Sequence, residues 1–259
     1  MSTLLEVEGL SRNFGGLAAV SGLGLDVQER EVFGIIGPNG AGKTTAINLI
    51  SGVIKPSSGV VRFRGEAVTG LPPHRLVRKG LARTFQATTV YGQRSVYENC
   101  LRGAYLHLYP GFLGTFLHTA AARAMRAEAD ARIEEVLGWL GLTAAADTIA
   151  SNLPYGAQKT LGLAIALVAQ PSLVMLDEPA AGLSAEEADH VRDTIRRLRE
   201  RGIAVVVIDH NMRFMRDICD RIFVMHHGQE LARGTPDEVL SDPTVIQAYL
   251  GRAYAKPEA

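Results

Sequence analysis

The nine residues GPNGAGKTT, Gly37 to Thr45, hold the densest chemistry in this chain. They fit the pattern G-x-x-x-x-G-K-[ST], with an apolar strand-like run before them and a helix-like run after them, the context the pattern requires. Gly37, Gly40 and Gly42, interleaved with Pro38, Asn39 and Ala41, let backbone N–H groups curl towards an anion. The helix that follows points its positive end at the same place. Lys43 is then set to reach the β- and γ-phosphates of a nucleoside triphosphate, and the hydroxyl of Thr44, with Thr45 beside it, to meet Mg2+. Farther on, LVMLDEP ends an apolar run in Asp177 and Glu178. The first carboxylate can bind Mg2+, directly or through water, and the second can polarise an attacking water as general base. No Asn-Lys pair occurs, so the guanine-reading Asn-Lys-x-Asp signature is missing. Two polar groups stand at strand-like ends: Gln86 in LARTFQ and His210 in AVVVIDHNM. Gln86 can touch the metal or the lytic water, or be a solvated loop residue. His210 can contact the γ-phosphate, or simply be a hydrogen-bonded strand terminus.

Such residues need a scaffold. The runs EVFGIIG (31–37), LVML (173–176) and AVVVI (204–208) are aliphatic, β-branched and bounded by turn residues. They predict strands buried on both faces, hence a parallel α/β sheet. LLEVEGL and GVVRFRG alternate apolar with polar and predict antiparallel strands near the N-terminus. Residues 87–162 are rich in Ala, Leu and Arg, with helical spacing across AARAMRAEADARIEEVLGWLGL (121–142). The expected organisation is one α/β domain over 1–259: a core of 1–86 and 163–259, mainly parallel in its sheet, with a helical lobe inserted at 87–162. Ser184 with Glu187 predicts a capping box, and Thr235 with Glu238 a second, with Pro236 at the first helical position. Asp193 and Arg197 are spaced for an ion pair on a solvated helix face. His226 and His227 are expected at a hairpin after a strand.

Composition excludes several classes. At 259 residues, 47% hydrophobic and 21% charged, the chain reads as soluble and globular. Lys plus Arg is 27 and Asp plus Glu is 27, with no basic tail or stripe, so nucleic acid is not an expected partner. Cys100 and Cys219 sit in no metal or redox spacing, as suits a reduced interior. Glu6 and Glu8 interrupt the first apolar run, unlike a signal peptide, and no stretch approaches the ~18 apolar residues of a membrane span. Work at a membrane would therefore fall to a partner that spans it.

Taken in order, GPNGAGKTT, the glutamine of TFQ, LPYGAQ, LVMLDEP and the histidine of VIDH resemble the ATP-binding cassette (ABC) family over nearly the whole chain. The resemblance implies a P-loop ATPase that dimerises head to tail, each ATP lying between the phosphate loop of one subunit and the signature turn of the other. It implies that Lys43 and Thr44 hold phosphate and Mg2+, that Asp177 supports the metal, and that Glu178 is the base. It also implies that His210 meets the γ-phosphate and that Gln86 couples the site to a membrane subunit. Phe14, in LSRNFGGLAAV, falls where the family stacks an aromatic ring on adenine. The signature turn would be Leu153, Pro154, Tyr155, Gly156, Ala157 and Gln158, a departure from Leu-Ser-Gly-Gly-Gln in which proline removes a hydroxyl and a backbone donor. The proline is tolerable as a helix opener, but the turn is expected to grip phosphate weakly. Ser184 replaces the family's usual aspartate, which leaves that cross-dimer contact unassigned.

TGLPPHRLVRKGLARTFQ, the aromatic insertion YLHLYPGFLGTFLHTAAARAMR (105–126) and DPTVIQAYLG look like the larger ATPase type of branched-chain amino-acid importers. The partners implied are two membrane permease subunits, a second ABC ATPase subunit and a substrate-binding protein. The place implied is the inner face of the cell membrane. Importers of urea or amides and some lipid exporters carry similar subunits. Two alternatives of other classes remain: a soluble cassette protein, though such proteins usually carry two cassettes or long coiled coils, and a catalytically silent scaffold cassette, against which the intact Asp177, Glu178 and His210 argue. The aromatic insertion reads either as packing for the lobe or as a permease contact.

Overall fold

The computed structural model describes residues 2–84, 90–108 and 119–254. Two compact units emerge, one running up to Leu76 and resuming at Met175, the other covering Val77–Val174.

In the first unit, β1 (Thr3–Phe14), β2 (Leu17–Gln28), β4 (Ser58–Phe63) and β5 (Glu66–Ala67) form an antiparallel sheet in the order β2-β1-β4-β5. The alternation seen in the sequence decides its faces. Leu5, Val7 and Leu10 are buried, while Glu6 and Glu8 point the other way and meet Arg62 at 3.4 and 2.8 Å. The second sheet of this unit runs β10-β9-β3-β8-β7. Its strands are β3 (Val32–Ile36), β7 (Leu173–Asp177), β8 (Ala204–Ile208), β9 (Arg221–His226) and β10 (Gln229–Gly234). β3 lies between β8 and β9, parallel to both, with Val32 opposite Val205 and Phe33 opposite Arg221. Every residue of β3, β7 and β8 is buried, as their unbroken apolar runs require when helices cover both faces. The hairpin β9–β10 is antiparallel, with His227 and Gly228 at its turn.

Helices in this unit start where the sequence places caps. In α6 (Ala185–Glu200) the Ser184 hydroxyl accepts from Glu187 N–H at 3.2 Å, and Glu187 Oε2 accepts from Ser184 N–H at 2.8 Å. Thr235 and Glu238 repeat the box at α8 (Pro236–Ser241), with Pro236 at its start. On α6 the carboxylate of Asp193 pairs with Arg196 at 3.4 Å, an i,i+3 neighbour on the same helix face.

The second unit is mainly helical, with α3 (Val96–Leu108), α4 (Ala120–Leu140) and α5 (Tyr155–Val168) in mutual contact. Its short strand β6 (Leu81–Arg83) follows Gly80, whose carbonyl accepts from Ser172 and Leu173 at the entry to β7. The helix predicted over 121–142 corresponds to α4, closed by Gly141 in the left-handed conformation. Cys100 and Cys219 are both free and buried. Among the described residues no helix is long and apolar enough to cross a membrane.

Candidate nucleotide site

The phosphate loop is the link between β3 and α1 (Lys43–Ile50). Two of its glycines have no substitute. Gly37 has φ 153°, and a Cβ there would lie 2.2 Å from the Met225 carbonyl oxygen. Gly42 has φ 97°, with a Cβ 2.6 Å from the Ala19 carbonyl oxygen. The far end of the loop is braced by the β9–β10 turn, where Gly228 N–H donates to Ala41 C=O at 2.9 Å. α1 has no side-chain cap and no acidic residue in its first turn, so its leading N–H groups and positive end remain for an anion. Asn39, Gly40 and Thr44 are exposed, whereas Ala41 is buried. A cavity of about 490 Å3 borders the loop's flank, lined by Pro38–Ala41, the turn at His226 and His227, and Gln247 of α9 (Pro243–Tyr254). Lys43, Asp177 and Glu178 do not line it.

Lys43 folds back on the loop, its ammonium donating to the carbonyls of Gly37 at 2.7 Å and Pro38 at 3.1 Å. Burial depresses its pKa, and the negative charges of Glu178 and Asp177 offset part of that effect. The lysine therefore sits in the field of both carboxylates that the sequence singles out. Asp177 closes β7 and is only 7% exposed. Glu178 follows in the left-handed region at φ 49°, with its N–H donating across the sheet to Ile208 C=O at 2.8 Å. A non-glycine residue there carries backbone strain, of a kind that clusters at functional sites. The bond to the last residue of β8 holds it in place.

His210 follows β8 by two residues. Its Nδ1 lies 3.8 Å from Glu178 Oε1 and 3.8 Å from Asp209 Oδ1, and its side chain is 64% exposed. Asp209 is the residue sequence reasoning missed. It is 1% exposed; Oδ1 accepts from Asn211 N–H at 2.9 Å, and Oδ2 is buried without a partner among the described residues. The only signal was a carboxylate ending an apolar run beside a histidine. The structure thus brings Lys43, Asp177, Glu178 and His210 to the C-terminal ends of β3, β7 and β8. That end of an open parallel sheet is where ligands bind.

Phe14 ends β1 at the hairpin tip and is 46% exposed. Gln86 lies outside the described residues, as do residues 109–118 of the aromatic insertion. In the second unit Leu153 is buried and Pro154 takes the N-cap position of α5, with φ −55° and no side-chain cap bond. Gln158 turns back on this segment: its N–H donates to Pro154 C=O at 3.0 Å and its amide to Leu153 C=O at 2.9 Å. Tyr155 is exposed, with the Lys159 ammonium 5.3 Å from its ring centroid. Gly156 and Ala157 form the first turn of α5, and Gly156 C=O accepts from the Thr160 hydroxyl at 3.0 Å.

Comparison with known proteins fits this geometry. Residues 20–181 match the ABC transporter family, and residues 229–255 match the branched-chain amino acid ATP-binding cassette transporter family. The high-affinity branched-chain amino acid transport ATP-binding protein BraF of Pseudomonas aeruginosa is 42% identical over 254 residues, covering 96% of this chain and 98% of BraF. The corresponding protein LivG of Escherichia coli K12 is 40% identical, with the same shares covered. Among solved structures, the ADP conformation of MJ1267, an ATP-binding cassette of an ABC transporter, superposes with a TM-score of 0.84 at 29% identity, covering 97% of this chain and all of that one. A match over more than half the chain, relatives alike from end to end, and a phosphate loop facing paired carboxylates agree: the chain belongs to the ABC transporter family of ATP-binding cassettes.

Proposed function

We propose that the chain is an ATPase subunit that powers uptake of branched-chain amino acids through separate membrane permeases. The observation that carries the chemistry is the gathering of Lys43, Asp177, Glu178 and His210 at one end of one parallel sheet. The α1 N-terminus and Lys43 bind the phosphates, the ammonium exchanging its two loop carbonyls for phosphate oxygens. Glu178 takes a proton from water as it attacks the γ-phosphorus, and ADP departs as the bridging bond breaks. His210, exposed beside Glu178, contacts the γ-phosphate. The residues present suit Mg2+: buried Asp177 and the Thr44 hydroxyl are hard oxygen donors, and Mg2+ takes few protein ligands and keeps waters and phosphate oxygens. Held by Asp177 and Thr44, the ion would supply positive charge to neutralise what develops on the phosphates. Phe14 offers the face on which adenine stacks, and Gln86 would join the metal ligands and relay the state of the site to the permease.

Transport of these solutes is the work named for BraF and LivG, to which this chain is alike over nearly its full length. By that likeness the working assembly contains a second ABC ATPase, two permeases and a substrate-binding protein, with this chain on the inner face of the membrane. The second unit serves as the inserted helical subdomain, and its turn at 153–158 faces the partner subunit's ATP. With proline at the cap and Gln158 held by its own segment, that turn offers few donors.

Glu178→Gln tests the chemistry. In the assembled complex, ATP binding should persist while turnover falls at least about 10²-fold, the usual scale of general-base loss. Near-normal hydrolysis would refute the base assignment.

A further inference from the structure

Phe14 stands on the β1–β2 hairpin and the phosphate loop on the β3–α1 link, so something must fix the distance between the two. Arg12, two residues before Phe14 on β1, touches both sides of that problem. Its guanidinium carbon lies 4.8 Å from the Phe14 ring centroid, within cation–π range. Its Nη1 donates to the carbonyl of Lys55 at 2.9 Å, in the segment that follows α1. The neighbouring backbone strengthens the same tie: Asn13 N–H donates to Ser57 Oγ at 3.3 Å, and Ser57 N–H to Ser11 C=O at 2.8 Å. Arg12 has no ion pair among the described residues, and its Nε is buried without a hydrogen-bond partner. A guanidinium held this way gives up hydrogen bonding that solvent would supply, which is unfavourable unless its position serves another purpose.

We propose that Arg12 is the positioning residue of the nucleotide's base platform. It holds the Phe14 ring from one face and straps the hairpin tip to the chain leaving α1, so that a base stacks on the remaining face in register with the phosphate loop. The inference rests on the reading of Phe14 as the adenine platform and goes beyond it by assigning what orients that ring.

The test compares ATP with inorganic tripolyphosphate, which carries the phosphates and no base, by titration calorimetry on R12A, F14A and the double variant. R12A should weaken ATP binding roughly two- to fivefold, the scale of one exposed cation–π contact, and leave tripolyphosphate unchanged. On an F14A background R12A should add nothing, because both act through one ring. Undiminished ATP affinity in R12A beside a weakened F14A would overturn the inference while sparing the platform. Equal weakening of both ligands by R12A, or additive effects in the double variant, would also overturn it. An F14A variant that binds ATP normally would remove the platform and the inference together.

Discussion

Lys43 shows how a single side chain carries the phosphate site. Its ammonium has two carbonyl partners on its own loop and two carboxylates whose charge favours its protonated form. Lys43→Ala removes these charge-assisted bonds and their counterparts to phosphate, each of about 1.5–3 kcal/mol. ATP affinity should fall at least about 10²-fold by titration calorimetry, and unchanged affinity would refute the loop's role. His210→Ala should act differently. Its imidazole adjoins Glu178 at the exposed rim, so the loss should fall on kcat, about 10²-fold, with KM for ATP little changed. A variant that raised KM alone would make His210 a ground-state contact. Lys43, Asp177 and Glu178 stood out in the sequence because residue type and local spacing suggest a phosphate loop and an acidic strand end, whereas His210 read equally as a strand terminus until the family resemblance singled it out. The approach of His210 to Glu178 and the burial of Asp209 were not legible, because they depend on β8 lying beside β7.

Elements divide in the same way. The capping boxes at Ser184 and Thr235 were readable because each is a contact over three residues. The placement of β3 between β8 and β9 was not, since pairing order comes from long-range burial and not from any run of residues. The box at α6 gives a prediction at this scale. Hydrogen bonds from the Ser184 backbone, and then its side chain, hold the Glu187 carboxyl below its ordinary pKa. A depressed carboxylate contributes stability above its unfolded value and loses it as pH falls through the folded one. Ser184→Ala removes the hydroxyl that accepts from Glu187 N–H and should lower stability by about 1 kcal/mol near neutral pH, in denaturant unfolding. The gap from wild type should narrow at pH values below the ordinary glutamate range. A gap that widened in acid would contradict the box's role.

At the scale of the whole chain, Lys43, Asp177, Glu178 and His210 all belong to the unit formed by the residues up to Leu76 and from Met175 onward. A ligand that binds only the folded form stabilises what it binds, by about 2.7 kcal/mol at 100 times its Kd. For chains of this size 1 kcal/mol moves the unfolding midpoint roughly 2–4 °C, so the shift should be roughly 5–10 °C. Glu178→Gln is the right background, because ATP survives the measurement. If the two units melt separately, the larger shift belongs to the transition of the unit with the phosphate loop. Adding Lys43→Ala should abolish the shift. If ATP still raised the midpoint in that double variant, the stabilising site would lie elsewhere in the chain, and the sheet end that gathers Lys43, Asp177, Glu178 and His210 would lose its claim to the nucleotide.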